Sequence, residues 1–272
     1  MTILAYHTGG LANRIKNMVA CFRLDPIVLV FWQKIESYTE KNNHLFICKY
    51  YDLFSYPFQV ENLEQGKEYP CYDTDKLLIG PDDGIPENFA KFDNKCDKPY
   101  VYQDELNRNI DFEYERIPIK VQKLYSYLFK QVLLNEDLQK KINKFYESHL
   151  TNKNLVSVHI RSWNRENEQG RKHLFNLEKF IDRMKYFKDC HYFVTSDSSD
   201  VLEKVKEQVD NVITYPRETD RESSRENPKG LQEDLIELYL LAKGDVLVGS
   251  YFSSYTEVAW YLMDCRQIFI VQ

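Results

Sequence analysis

Apolar residues in the second half of the chain fall in short runs separated by amphipathic segments, the order expected of a parallel sheet covered by helices. Runs at 155–160, 191–195, 211–215, 245–248 and 267–271 predict strands, and helical spacing predicts helices at 176–187, 199–209, 231–242 and 254–263. Ser198 and Ser199 stand where the second helix needs a cap, and Gly244 closes the third. Residues 216–230 are charged and interrupted by proline and glycine, which predicts a mobile surface loop.

The first half opens the same way. A short apolar run at 2–6 meets Gly9 and Gly10, and Leu11, Ile15, Met18, Val19 and Phe22 then follow at helical spacing, so the opening reads as strand, glycine turn, helix. Residues 27–32 and 45–48 suit further buried strands, and 121–146 suit one or two helices. From about Tyr50 to Asp111 neither periodicity is present. The expected fold class is α/β, with two Rossmann-like domains at 1–145 and 146–272, and no internal repeat.

Composition narrows the function classes. The chain is 43% hydrophobic and 14% aromatic with a formal net charge of −6, and its 36 basic residues form no long run, so nucleic acid is not an expected partner. The longest clean apolar stretch, 27–32, is far short of the roughly 20 residues of a membrane helix. No basic, apolar and small-residue leader pattern follows Met1, and a cytoplasmic location is the expectation. The six cysteines lack Cys-x-x-Cys spacing and read as reduced thiols, although Cys71 and Cys96 could pair in an oxidising compartment.

Ligands of open α/β sheets bind beyond the carboxyl ends of the strands, and four clusters fall there. Gly9 and Gly10, followed by Asn13 and Arg14, form a turn that a ligand backbone or anion can approach, or a plain turn. His159 and Arg161 share one strand face; the arginine fork suits phosphate oxygens, and the alternative is a strand-end salt bridge. Asp197 follows another strand, and Ser253 and Ser254 lead into a helix, where hydroxyls serve either phosphate and ribose or ordinary capping. Glu233, Asp234 and Glu237 interrupt an otherwise apolar helix, where a carboxylate could accept from guanine N1–H and N2–H or complement the helix dipole. The histidines show no ligand spacing and no Asp-x-Asp pair is present, so no metal is expected.

Taken in order, these motifs resemble the fucosyltransferase superfamily that includes the α1,2-, α1,6- and protein O-fucosyltransferases and the bacterial Nod-factor enzyme. Gly9, Gly10, Leu11, Ala12, Asn13 and Arg14 resemble its opening Gly-Gly-Leu-Gly-Asn-Arg/Gln turn, and Val158, His159, Ile160 and Arg161 resemble its His-x-Arg signature. Residues 191–197 and 245–254 are similar to its third and last motifs. The resemblance implies a GT-B architecture, two domains facing across a cleft, with GDP-fucose held mainly by the second and no metal or other cofactor. It implies that Arg161 neutralises the departing diphosphate, that Gly9, Gly10, Asn13, Arg14 and His159 contact the donor, that Asp234 or Glu237 reads guanine, and that Asp197, Ser253 and Ser254 line the nucleotide pocket.

Direct displacement at an anomeric carbon needs a fixed cation for the leaving group and a base for the acceptor hydroxyl. Arg161 suits the first role. The base candidates are Glu166 and Glu168, because the α1,6 branch that the chain resembles places a glutamate several residues beyond the arginine; Ser162, Trp163 and Asn164 replace the family's usual Arg-Arg or Arg-Gly-Asp continuation. The expected function is therefore an inverting, metal-independent transfer of fucose from GDP-fucose to a glycan hydroxyl. The alternatives are another nucleotide sugar, or a nucleotide- or sugar-binding module without turnover. A nicotinamide oxidoreductase is disfavoured, since the Gly-x-Gly-x-x-Gly fingerprint and its downstream acid are absent.

Overall fold

A computed structural model describes residues 3–7, 9–34, 45–60, 71–72, 91–92, 102–103, 112 and 114–272, without the side chains of residues 3, 33–34, 45, 60, 71–72, 91–92, 102–103, 116, 166–167 and 169. Cys96 and the side chain of Cys71 lie outside this set, and Cys21, Cys48, Cys190 and Cys265 are free thiols. The chain divides into two units, Met1–Asn135 and Glu136–Gln272.

The N-terminal unit contains β1 (Ile3–Ala5), α1 (Leu11–Leu24), β2 (Val28–Phe31), β3 (Gln33–Lys34), β4 (Leu45–Phe46), β5 (Phe54–Tyr56), β6 (Phe58–Val60), β7 (Cys71–Tyr72), β8 (Lys91–Phe92), β9 (Tyr102–Gln103), α2 (Ile119–Phe129) and β10 (Leu133–Leu134). Strands β6-β2-β1-β7 form a parallel sheet in that order. The stretch read as one or two helices is two, because α2 ends before the extended pair at β10 and the next helix begins at Glu136.

The C-terminal unit contains α3 (Glu136–Phe145), β11 (Leu155–Ile160), α4 (Leu177–Tyr186), β12 (His191–Ser196), α5 (Ser199–Gln208), β13 (Val212–Ile213), α6 (Pro228–Leu241), β14 (Val246–Ser250), α7 (Ser254–Leu262) and β15 (Ile268–Val271). All five strands are parallel, in the order β13-β12-β11-β14-β15. Every residue of β11 is buried, as a parallel strand covered on both faces must be. Val156, Val158 and Ile160 pack with Phe180, Ile181 and Met184 of α4 and Val201, Leu202 and Val205 of α5. On the opposite face, a Cβ on Gly244 would lie 2.4 Å from Ser157 Oγ, so glycine there lets the loop after α6 close onto the sheet.

The stretch 216–230 is not the mobile loop its composition predicts. Arg217 and Arg221 are buried in ion pairs to α6, and a short 3₁₀ turn at Ser224–Glu226 leads into the helix. Asn227 caps that helix through Lys229 N at 2.8 Å, and Pro228 takes its first position, so it starts three residues before the predicted Leu231. Gly230 lies inside it, where a Cβ would meet Ser224 O at 2.5 Å.

Candidate functional site

The chain runs outward from β11 to β12 and β13, then crosses back to β14 on the other side of β11. Reversal of strand order opens a crevice at the carboxyl ends of β11 and β14, the usual ligand position in such sheets. Arg161 follows β11, Asp197 follows β12, and the serine-rich turn follows β14, so three separately read clusters meet at one sheet edge.

Arg161 is fixed at both main chain and side chain. Its backbone N–H donates to Ser250 Oγ at 2.7 Å, and the same hydroxyl donates to the His159 carbonyl at 3.3 Å. Nη1 donates to Asp197 Oδ2 at 2.6 Å, while Nη2 donates to Glu168 Oε1 at 2.5 Å and also to Oε2. Asp197 Oδ1 accepts the Ser162 N–H at 2.7 Å. Burial pushes the Asp197 carboxyl up, but the Arg161 charge and the Ser162 N–H outweigh it and hold the group below its ordinary value.

Trp163, at a φ of 53°, turns its indole against Arg161, whose guanidinium carbon lies 5.2 Å from the ring centroid. Arg171 lies 5.4 Å from the same ring and 4.9 Å from Phe252 of the serine-rich turn. Cation–π contacts thus connect the 3₁₀ segment Glu166–Leu174 to the edge of the site. Among the described residues no carboxylate pairs with Arg165; burial, then the Arg161 charge, lowers its guanidinium below the ordinary arginine value.

His159 is 5% exposed, flanked across the sheet by Thr195 and Gly249. Nδ1 is 2.7 Å from Thr256 Oγ1, and the ring lies 4.7 Å from that of Tyr255. Burial drives its pKa down to about 3, so the imidazole is neutral near neutral pH. A Cβ on Gly249 would lie 2.2 Å from Thr256 Cγ2, so glycine at that register is what lets α7 approach His159. Ser253 occupies the cap position of α7 but makes no side-chain cap bond, and Ser254 begins the helix.

The acids of α6 form a second cluster. Glu237 accepts from Arg221 Nη2 at 2.6 Å and Nη1 at 2.8 Å, and from Arg217 Nη1 at 3.0 Å. Arg217 Nη1 also donates to Asp234 Oδ1 at 2.6 Å, and Glu233 accepts the Glu218 N–H at 2.8 Å and the Thr219 N–H at 3.2 Å. The Glu237 side chain is 2% exposed and that of Asp234 22%. Tyr255 joins the clusters, since its hydroxyl donates to the Asp234 carbonyl at 2.5 Å while its ring meets His159.

The structure therefore brings Arg161, Glu168, Asp197 and His159 together, with Ser253 and Ser254 opening the adjoining helix, and places Asp234 and Glu237 in the neighbouring network. The Glu166 side chain lies outside the described residues. In the N-terminal unit, Gly9 and Gly10 form the turn from β1 into α1, and a Cβ on Gly9 would lie 2.7 Å from His7 Nε2 and 2.9 Å from Asn13 Nδ2. Arg14 is 3% exposed, donates Nε to the Gly9 carbonyl at 2.8 Å, and lies against Trp32 and Phe46. Sequence reasoning missed Arg165, Arg217, Arg221 and Thr256 as site residues. A signal existed for two of them, because three acids in an apolar helix require buried cations and Arg217 and Arg221 precede that helix.

No protein-family model and no curated protein matches the chain. Solved structures do. The NodZ α-1,6-fucosyltransferase soaked with GDP-fucose is 17% identical, with a TM-score of 0.51 over 96% of this chain and 92% of that one. The fucosyltransferase NodZ from Bradyrhizobium is 16% identical, with a TM-score of 0.52 over 95% and 91%. The same enzyme co-crystallised with GDP is 15% identical, again with a TM-score of 0.52. The chain has the fold of these GT-B fucosyltransferases, a mixed α/β fold built on parallel sheets.

Proposed function

We propose that the protein is an inverting, metal-independent glycosyltransferase that moves fucose from GDP-fucose to a glycan hydroxyl, its C-terminal unit holding the nucleotide. The observation that carries this reading is Arg161, anchored by backbone and side chain at the strand-order reversal, where the diphosphate of a nucleotide sugar would need a fixed cation. In the reaction the acceptor oxygen bonds to the anomeric carbon as the C–O bond to the diphosphate breaks, and the electron pair leaves on the β-phosphate oxygen. Arg161 is preorganised for that developing charge, and Glu168 takes the acceptor proton. The first turn of α7, with Ser253 and Ser254, supplies further donors to phosphate or ribose. Asp234 reads guanine, since it keeps exposed surface while Glu237 is enclosed by two arginines. The neighbours soaked or co-crystallised with GDP-fucose and GDP support this choice of nucleotide.

GDP release with a panel of glycan acceptors in EDTA tests the reading. Wild type is expected to turn over and Arg161→Ala to lose roughly a hundredfold or more of that rate, in line with deletion of a transition-state charge donor. Equal turnover in both would refute the role of Arg161. Stabilisation by UDP or dTDP but not by GDP would refute the guanine assignment.

A further inference from the structure

Arg161 faces two carboxylates at once, and the two are held in different ways. Asp197 is tied to the main chain by the Ser162 N–H at 2.7 Å as well as to Arg161 Nη1. Glu168 makes both of its carboxylate bonds to one atom, Arg161 Nη2, and sits on the irregular 3₁₀ segment Glu166–Leu174. Two acids occupy the one guanidinium of Arg161 and offset its charge, at the strand ends where a diphosphate would need positive charge. A diphosphate cannot add to that arrangement until one acid has left, and Glu168 is the acid without a main-chain tether. While both its oxygens accept from Arg161, the carboxylate is held against the guanidinium and is not turned to an acceptor hydroxyl.

We propose that Glu168 occupies the donor-phosphate position on Arg161, that the donor diphosphate displaces it, and that the displaced carboxylate then serves as the base for the acceptor. The enzyme thus acquires its base only after the donor has bound, which imposes a donor-first order. The inference rests on the reading of Arg161 as the diphosphate site. Arg165 adds to it: a cation without a carboxylate partner among the described residues, three positions before Glu168, offers the incoming phosphates a second positive charge.

The opposite result is expected of a carboxylate that merely positions Arg161, and calorimetric GDP affinity separates the two. Glu168→Gln should bind GDP roughly tenfold more tightly than wild type, a difference of about 1.4 kcal/mol, while kcat falls by roughly a hundredfold. Glu168→Ala, which removes the group instead of neutralising it, should tighten GDP binding as well. Asp197→Asn should weaken it, because Arg161 loses its fixed anchor. Ligand-free unfolding midpoints close to wild type establish that each variant is folded. Equal or weaker GDP binding by both Glu168 variants, with wild type still binding GDP, overturns the displacement and leaves the Arg161 reading standing. No GDP binding by wild type or by any variant overturns that reading and the inference with it.

Discussion

Acidification should destabilise the C-terminal unit through His159 in particular. In the folded protein burial lowers its pKa from 6.5 to about 3, so between those values the unfolded chain binds more protons and stability rises with pH. The stabilising contribution of the neutral imidazole is complete above pH 6.5 and is lost as pH falls below it. At about pH 5 the loss is about 2 kcal/mol, from about 1.4 kcal/mol per pH unit over roughly one and a half units, and near pH 7.5 it is close to zero. Glutamine at this position can still hydrogen-bond Thr256 but does not titrate, so His159→Gln should remove this slope while the other histidines contribute equally to both proteins. The assay is urea unfolding at about pH 7.5 and about pH 5 in a Trp32→Phe background, which leaves Trp163 and Trp260 of the C-terminal unit as reporters. Parallel pH dependences in the two proteins would refute the claim that His159 is buried in its neutral form.

Two further outcomes follow from the packing. Glu237 is the carboxylate that pairs with buried Arg221, whereas Glu237 keeps Arg217 if Arg221 is removed. Glu237→Met should therefore cost about 3–5 kcal/mol, and Arg221→Met clearly less. Hydrogen exchange in α6 and β12 checks this, and equal losses would contradict the asymmetry. Gly249→Ala drives a methyl against Thr256 Cγ2 and should cost about 1–3 kcal/mol. Adding Thr256→Ser, which deletes that methyl and keeps the hydroxyl on His159, should restore part of the loss in thermal unfolding.

Much of the C-terminal fold was legible along the chain because a parallel strand buried on both faces must be a nearly continuous apolar run, and the helices between must carry one apolar stripe. That is why β11, β12, β14 and β15 were expected within a residue or two, and why a charged pair closing an apolar strand marked His159 and Arg161. The stretch 216–230 misled because charge and breakers are the same in a solvated loop and in one folded onto a complementary acidic helix; only desolvation by α6 distinguishes them.

Local composition and periodicity by themselves determined the order of elements in the C-terminal unit, the glycine turn before α1 and the arginine after β11, since each depends on neighbours within a few residues. Tertiary structure decided which groups face that arginine. Asp197 reaches it from 36 positions away and Ser250 from 89, and the acids of α6 find Arg217 and Arg221 across an intervening turn. These pairings depend on strand order and on the removal of water around the charges, and neither quantity has a period that can be read along the chain.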